Sequence, residues 1–259
     1  MFQFTRAGQP EQQRLLAVLA QPATHVLDFC SIRLGAWQKA RFAILFGALM
    51  LIFASAGHTA RADEMSFATT IIGDPSICGR TCPAIITAEG EITNRTPAAF
   101  ADFLVRNATQ RGLHAVVLLN SPGGKVVASM EFGRILRRLG AAVVVARVEP
   151  SANGALLAGR CFSACVYAFM GGKKRVIPLQ SEVGIHRMFT YEYASALGPI
   201  GQRYQRFDDG GMAAVLSRYS GMMGVSPQII SAAEHITPDR LHIVSRAEIA
   251  RWHLAASRL

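Results

Sequence analysis

An α/β fold with a parallel sheet and a C-terminal helical region is predicted by three observations. Apolar runs of strand length alternate with helical segments between Ala84 and His186. Glycine-bearing turns stand where strands hand over to helices, at Ser121-Pro122-Gly123-Gly124 and at Gly159 to Ser163. Past His186 the pattern changes, and the longer segments read as helices.

Taken in order, Met65 to Ile72 alternates weakly and reads as a first strand, and Ala84 to Ile92, broken by Gly90, as a second. Thr96 and Pro97 form an N-cap and N1 pair for a helix running to about Thr109. His114 to Leu119 reads as a strand ending at Asn120 and the Ser-Pro-Gly-Gly turn. The helix after it puts Ala128, Phe132, Ile135, Leu136 and Leu139 on one face. Ala141 to Arg147 repeats the strand pattern, and Gly159 to Cys165 leads into the apolar helical stretch Val166 to Met170, closed by Gly171 and Gly172. Arg175 to Ile177 and Glu182 to Ile185 are short strands, with His186 at the end of the second. Tyr191, Tyr193, Gly198 and Pro199 mark a loop before helices around Met212 to Met223 and Pro227 to Glu234.

Three features of this pattern point to acyl-transfer chemistry. Two consecutive glycines let backbone approach a bound group and aim N–H donors at it, the geometry an oxyanion hole needs. Ser163 lies where a turn becomes a helix, and the Ala164 N–H beside it favours developing negative charge. His186 follows twenty-three residues later at a strand end, from which it can fold back onto Ser163. Each feature also has a plainer reading: a serine N-cap, a histidine satisfied at a strand end, a tight turn. The G-x-G-x-x-G and Walker patterns of nucleotide sites are missing, and no histidine has metal-ligand spacing, so neither cofactor nor metal is expected.

The order Asn-Ser-Pro-Gly-Gly, Ser-Ala, Lys-Arg-Val-Ile-Pro and Val-Gly-Ile-His resembles the proteolytic subunit of Clp protease, within the Clp/crotonase superfamily, from about Ile86 to Leu254. The resemblance implies stacked βαβ units, Ser163 as nucleophile, His186 as general base, and the N–H groups of Gly123 and Ala164 as the oxyanion hole. It implies a peptide or unfolded-protein substrate and self-association. A gapless match puts Leu241 where the family has its triad aspartate, with Asp239 two residues upstream as the nearest candidate acid. The chain also carries an insertion, roughly Val148 to Leu157, that reads as a loop near the site. Two rival readings are a noncatalytic scaffold that has lost the acid and a crotonase-like acyl-CoA enzyme; the Ser/His pair and the expected export count against the second.

The 259 residues are 51% hydrophobic, ample for one core. Lys39 and Arg41 precede the uncharged run Phe42 to Ala56, and Ala60-Arg61-Ala62 fits a signal-peptidase site with Asp63 as the new N-terminus. The expected organisation is therefore a tail plus signal peptide or anchor over 1–62 and a hydrolase domain over 63–259, located in the periplasm or held at the inner membrane with the domain outside. Outside the ATP pool, no ATP-driven unfoldase partner is expected. Six basic and two acidic residues precede Asp63, leaving 21 and 15 and a net charge of +6. Arg134, Arg137 and Arg138 read as a solvated helix face rather than a nucleic-acid surface. Cys78, Cys82, Cys161 and Cys165 form two C-x₃-C pairs, an even count that points to disulfides in an oxidising compartment. A local Cys78–Cys82 bridge is expected, with a Cys₄ zinc site as the rival.

Overall fold

The computed structural model describes residues 63–73, 75–79, 82–108, 113–149, 155–193, 203–207 and 209–256. The expected export segment, including the Phe42 to Gly57 run, lies outside them. No helix among the described residues is long and apolar enough to cross a membrane.

The principal sheet has strand order β1-β2-β3-β4-β5, with β7 also on β4. Its strands are β1 (Ser66–Ile71), β2 (Ala84–Glu89), β3 (Leu113–Asn120), β4 (Ala142–Val148), β5 (Leu156–Ala158) and β7 (Lys174–Val176). The pairs β2/β3, β3/β4 and β4/β7 are parallel. The intervening helices α2 (Thr96–Asn107) and α3 (Val126–Leu139) make β2-α2-β3 and β3-α3-β4 successive βαβ units. Only β1 and β5 run antiparallel. The short α1 (Pro75–Cys78) lies between β1 and β2.

The central strands are apolar along both faces, and residues of both faces are buried. Val117, Leu119, Val143 and Val145 belong to the main core, whereas Leu118 and Val144, pointing the other way, join a second cluster with Ile85 and Val176. Phe100 of α2 and Phe132 of α3 pack against Phe67 with ring centroids 5.0 and 5.7 Å from it and 4.9 Å from each other.

A second sheet carries β6 (Arg160–Phe162), β8 (Glu182–Ile185) and β11 (His242–Ile243), in the order β11-β8-β6. Helix α4 (Cys165–Met170) leaves β6 and is wholly buried. It crosses α3 so closely that a side chain at Gly171 would sit 2.0 Å from the Gly133 carbonyl. The C-terminal region holds α5 (Gly211–Met222), α6 (Gln228–Glu234) and α7 (Arg246–Arg251).

Four local expectations are corrected. Thr96 is not the N-cap of α2; Arg95 is, and Thr96 is the first helical residue, its Oγ1 accepting the Thr93 N–H at 2.9 Å. The segment read as a loop after His186 contains β9 (Phe189–Tyr193), paired antiparallel with β10 (Arg203–Phe207). The expected insertion loop returns antiparallel on β4 through β5, with Val148 opposite Leu156, while 150–154 lie outside the described residues. The three arginines of α3 do not share one solvated face: Arg137 donates to the carbonyls of Met170 and Met223, and Arg134 stacks over Tyr219.

Helix α7 starts with a capping box. Ser245 Oγ accepts the Glu248 N–H at 3.3 Å, and Glu248 accepts the Ser245 N–H at 2.8 Å. Burial alone would push the Glu248 carboxyl up. The Ser245 N–H, the Ser245 hydroxyl and His242 outweigh it and hold the carboxyl below its ordinary 4.5. A depressed folded-state pKa gives stability that is present above the unfolded value and lost as pH falls through the folded one. Thermal melts should therefore show Ser245→Ala costing about 1 kcal/mol at neutral pH. In Glu248→Gln, melting temperature should fall less than in the wild type on acidification below 4.5.

Candidate active site

Three chain segments lie side by side at the site. The tip of β3 extends the second sheet: Ser121 N–H donates to the Arg160 carbonyl (2.8 Å) and Phe162 N–H to the Ser121 carbonyl (3.1 Å). On its other side β6 pairs parallel with β8, setting Phe162 opposite Gly184. One residue on, Ser163 N–H donates to the Gly184 carbonyl at 2.8 Å. Ser163 is thus held between the glycine turn and the strand that delivers His186.

Ser163 has φ 55°, the left-handed region that a serine adopts at a cost of ~1–3 kcal/mol. Its Oγ makes no hydrogen bond among the described residues. At the sharp β6-to-α4 turn Ser163 stays partly exposed while Ala164 and Cys165 enter the core, both at most 1% exposed. Gly123 (φ 110°) packs directly on this turn. A Cβ there would lie 2.7 Å from the Phe162 carbonyl oxygen, 2.9 Å from Ser163 Cβ and 3.1 Å from the Ala164 nitrogen.

The two expected oxyanion donors differ. The Ala164 N–H has no hydrogen-bond partner among the described residues, so it is free to meet an anion. The Gly123 N–H is engaged by Ser121 Oγ at 3.1 Å. Its neighbour Gly124 (φ 134°) has an unengaged N–H among the described residues, and a Cβ there would strike the Ile92 carbonyl at 2.0 Å. From the sequence alone Gly123 is the expected donor of the pair; the local signal for Gly124 is the serine two residues before Gly123, which can accept the Gly123 N–H.

His186, half-buried, lines the same cleft as Ser163, together with Val166, Tyr167 and Met170 of α4 and Ile229, Ile230 and Ala233 of α6. The cleft holds about 10 Å³, room for roughly one water molecule and far below the ~300–1,000 Å³ of drug-sized ligand sites. His186 Nδ1 lies 2.8 Å from the Arg187 carbonyl oxygen. A carbonyl only accepts, so Nδ1 carries the proton and Nε2 is left as the basic nitrogen. No hydrogen bond joins Ser163 Oγ to His186 among the described residues.

The acid is a different matter. Asp239 is fully exposed, and its carboxyl is held below the ordinary aspartate range first by the Thr237 side chain and then by its own backbone N–H. No hydrogen bond or ion pair connects it to His186 among the described residues. The antiparallel β11/β8 register pairs His242 with Ile185 and Ile243 with Gly184, and it ends there, with Leu241 and His186 just beyond the last pair. The Leu241 side chain lies over Gly184, where a Cβ would meet its Cγ at 2.7 Å. Beyond His186, Arg187 pairs with Glu234 at 3.0 Å.

The cysteines form two local disulfides, Cys78–Cys82 and Cys161–Cys165. This matches the bridge expected for the first pair and occupies all four candidate zinc thiolates. No protein-family profile and no curated protein matches the chain. Among solved structures it is similar to two forms of the 1510-N membrane-bound stomatin-specific protease, a serine-to-alanine mutant and a lysine-to-alanine mutant in complex with a substrate peptide. Each is 15% identical with a TM-score of 0.44, over 64% of this chain and 74% or 70% of theirs.

Proposed function

We propose that this chain is an exported, ATP-independent serine peptidase or related acyl hydrolase of the Clp/crotonase type. The observation that carries the reading is the left-handed Ser163, wedged between Gly123 and the Gly184-to-His186 strand end, beside the uncommitted Ala164 N–H. In the proposed reaction Ser163 Oγ attacks the substrate carbonyl while His186 Nε2 takes its proton. The carbonyl oxygen becomes an oxyanion that receives the Ala164 N–H and a glycine N–H of the 123–124 turn. His186 then returns the proton to the leaving group, and water repeats the sequence on the acyl-enzyme. Substrates are short or already unfolded peptides. The test is a fluorophosphonate probe followed by peptide mapping: a single adduct on Ser163 supports the reading, and an adduct elsewhere or none removes it.

Asp239 is the remaining candidate for the acid. In Asp239→Asn, hydrolysis lower by two or more orders of magnitude with intact folding supports a triad; unchanged hydrolysis that still needs Ser163 leaves a Ser/His dyad. Leu241, whose side chain lies over Gly184 on the strand that delivers His186, favours a second reading, a noncatalytic scaffold of the cell envelope, because an apolar side chain offers the imidazolium no compensating charge. The same probe separates the two. Export rests on the Phe42 to Ala56 run and Ala60-Arg61-Ala62. N-terminal sequencing of the protein from its native host should begin at Asp63, whereas a full-length cytosolic species as the only product would sink it.

A further inference from the structure

We propose that the Cys161–Cys165 disulfide positions the nucleophile, a role that rests on the Ser163 reading above. The bond closes a ring of five residues whose middle member is Ser163. Its two ends belong to different elements. Cys161 lies in β6, opposite Val183, and bridges to Ser121; Cys165 is the first residue of α4. Between them, Phe162 is tied to Ser121 and Ser163 to Gly184, both on the strand side. On the helix side the Ser163 carbonyl accepts the Val166 N–H at 3.1 Å.

A serine at such a junction relaxes by returning to negative φ, and that rotation would swing Oγ out of the cleft and turn the Ala164 N–H away from Gly123. With the Cα atoms of Cys161 and Cys165 held 5.3 Å apart by the bridge, the strand end and helix start cannot separate to allow it. Both cysteines are 0% exposed, which shields the bond from external thiols. It is therefore a standing clamp on the turn and not a redox switch. The partly exposed Cys78–Cys82 pair, in the β1–β2 connection, makes a matched control.

The experiment compares wild type, C161A/C165A and C78A/C82A with two readouts, both taken well below each protein's melting temperature. The first is the rate of fluorophosphonate labelling of Ser163 against probe concentration. In C161A/C165A the maximal rate should fall at least tenfold with the half-saturating concentration unchanged, and C78A/C82A should behave as wild type. The second is amide hydrogen exchange, where the Ser163 N–H should exchange at least tenfold faster in C161A/C165A while Val117 to Leu119 of β3 keep their protection.

Labelling within twofold of wild type, or an equal fall in C78A/C82A, overturns the proposal. Wild-type protein that does not label removes the nucleophile reading, and the bridge is then judged by exchange alone: unchanged Ser163 protection overturns it. Should C161A/C165A fail to fold, Cys161→Val with Cys165→Ala keeps β6 filled and is judged by the same outcomes.

Discussion

Ser163→Ala is expected to abolish fluorophosphonate labelling and peptide hydrolysis while leaving the melting temperature within a degree or two of wild type, roughly the ±0.5 kcal/mol of a substitution that breaks no packing or hydrogen bond. The two halves of this result come from the same atom. Oγ is the atom proposed to form the acyl bond, so its loss removes the covalent pathway altogether. It also makes no hydrogen bond among the described residues, so the fold loses no partner with it. Alanine meets the same backbone cost at φ 55° as serine does, and the Ser163 N–H still reaches Gly184. A large drop in melting temperature would instead mark Ser163 as a structural cap. Labelling that persists in this variant would move the nucleophile elsewhere.

Gly123→Ala is expected to lower activity by at least ~10²-fold, the scale of losing one oxyanion donor, and to destabilise the fold as well. The added methyl meets backbone: the Phe162 carbonyl oxygen at 2.7 Å and the Ala164 nitrogen at 3.1 Å, neither of which can rotate aside as a side-chain tip would. The φ of 110° is itself strained for any residue with a Cβ. Relief requires the glycine turn and the Ser163 turn to separate, so Ser163 and its donors lose their alignment together. Paired measurements of kcat/KM and of denaturant midpoint check this. Near-wild-type hydrolysis would show that the 121–124 turn is not part of the machinery.

The parts legible in the sequence were those with a local signature. The βαβ rhythm, the Ser163 turn and the placement of His186 at a strand end each depend on a few consecutive residues, and the helix closing at Gly171 and Gly172 is of the same kind. What escaped depends on partners far along the chain. Phe189–Tyr193 reads as loop because Gly198 and Pro199 dominate its surroundings, yet it becomes a strand through pairing with Arg203–Phe207. Arg137 looks like one cation of a solvated stripe, but its acceptors are carbonyls 33 and 86 residues away. The acid is the instructive case. Asp239 is the nearest carboxylate in sequence, yet it stays exposed, while the pairing of β11 with β8 brings the apolar Leu241 over Gly184.

The ladder that joins the β3 tip, β6 and β8 acts as a vernier. Its teeth are set by the strand rise, about 3.3 Å per residue, and one notch of slip also turns every side chain to the opposite face. Reaction geometry tolerates far less, since a misplacement of ~1 Å can cost ~10²-fold in rate. With Ser163 read from β6 and His186 from β8, the two scales meet only at the mark where Phe162 faces Gly184. Slip in this ladder has no intermediate settings: it leaves Ser163 and His186 in register or throws them out entirely.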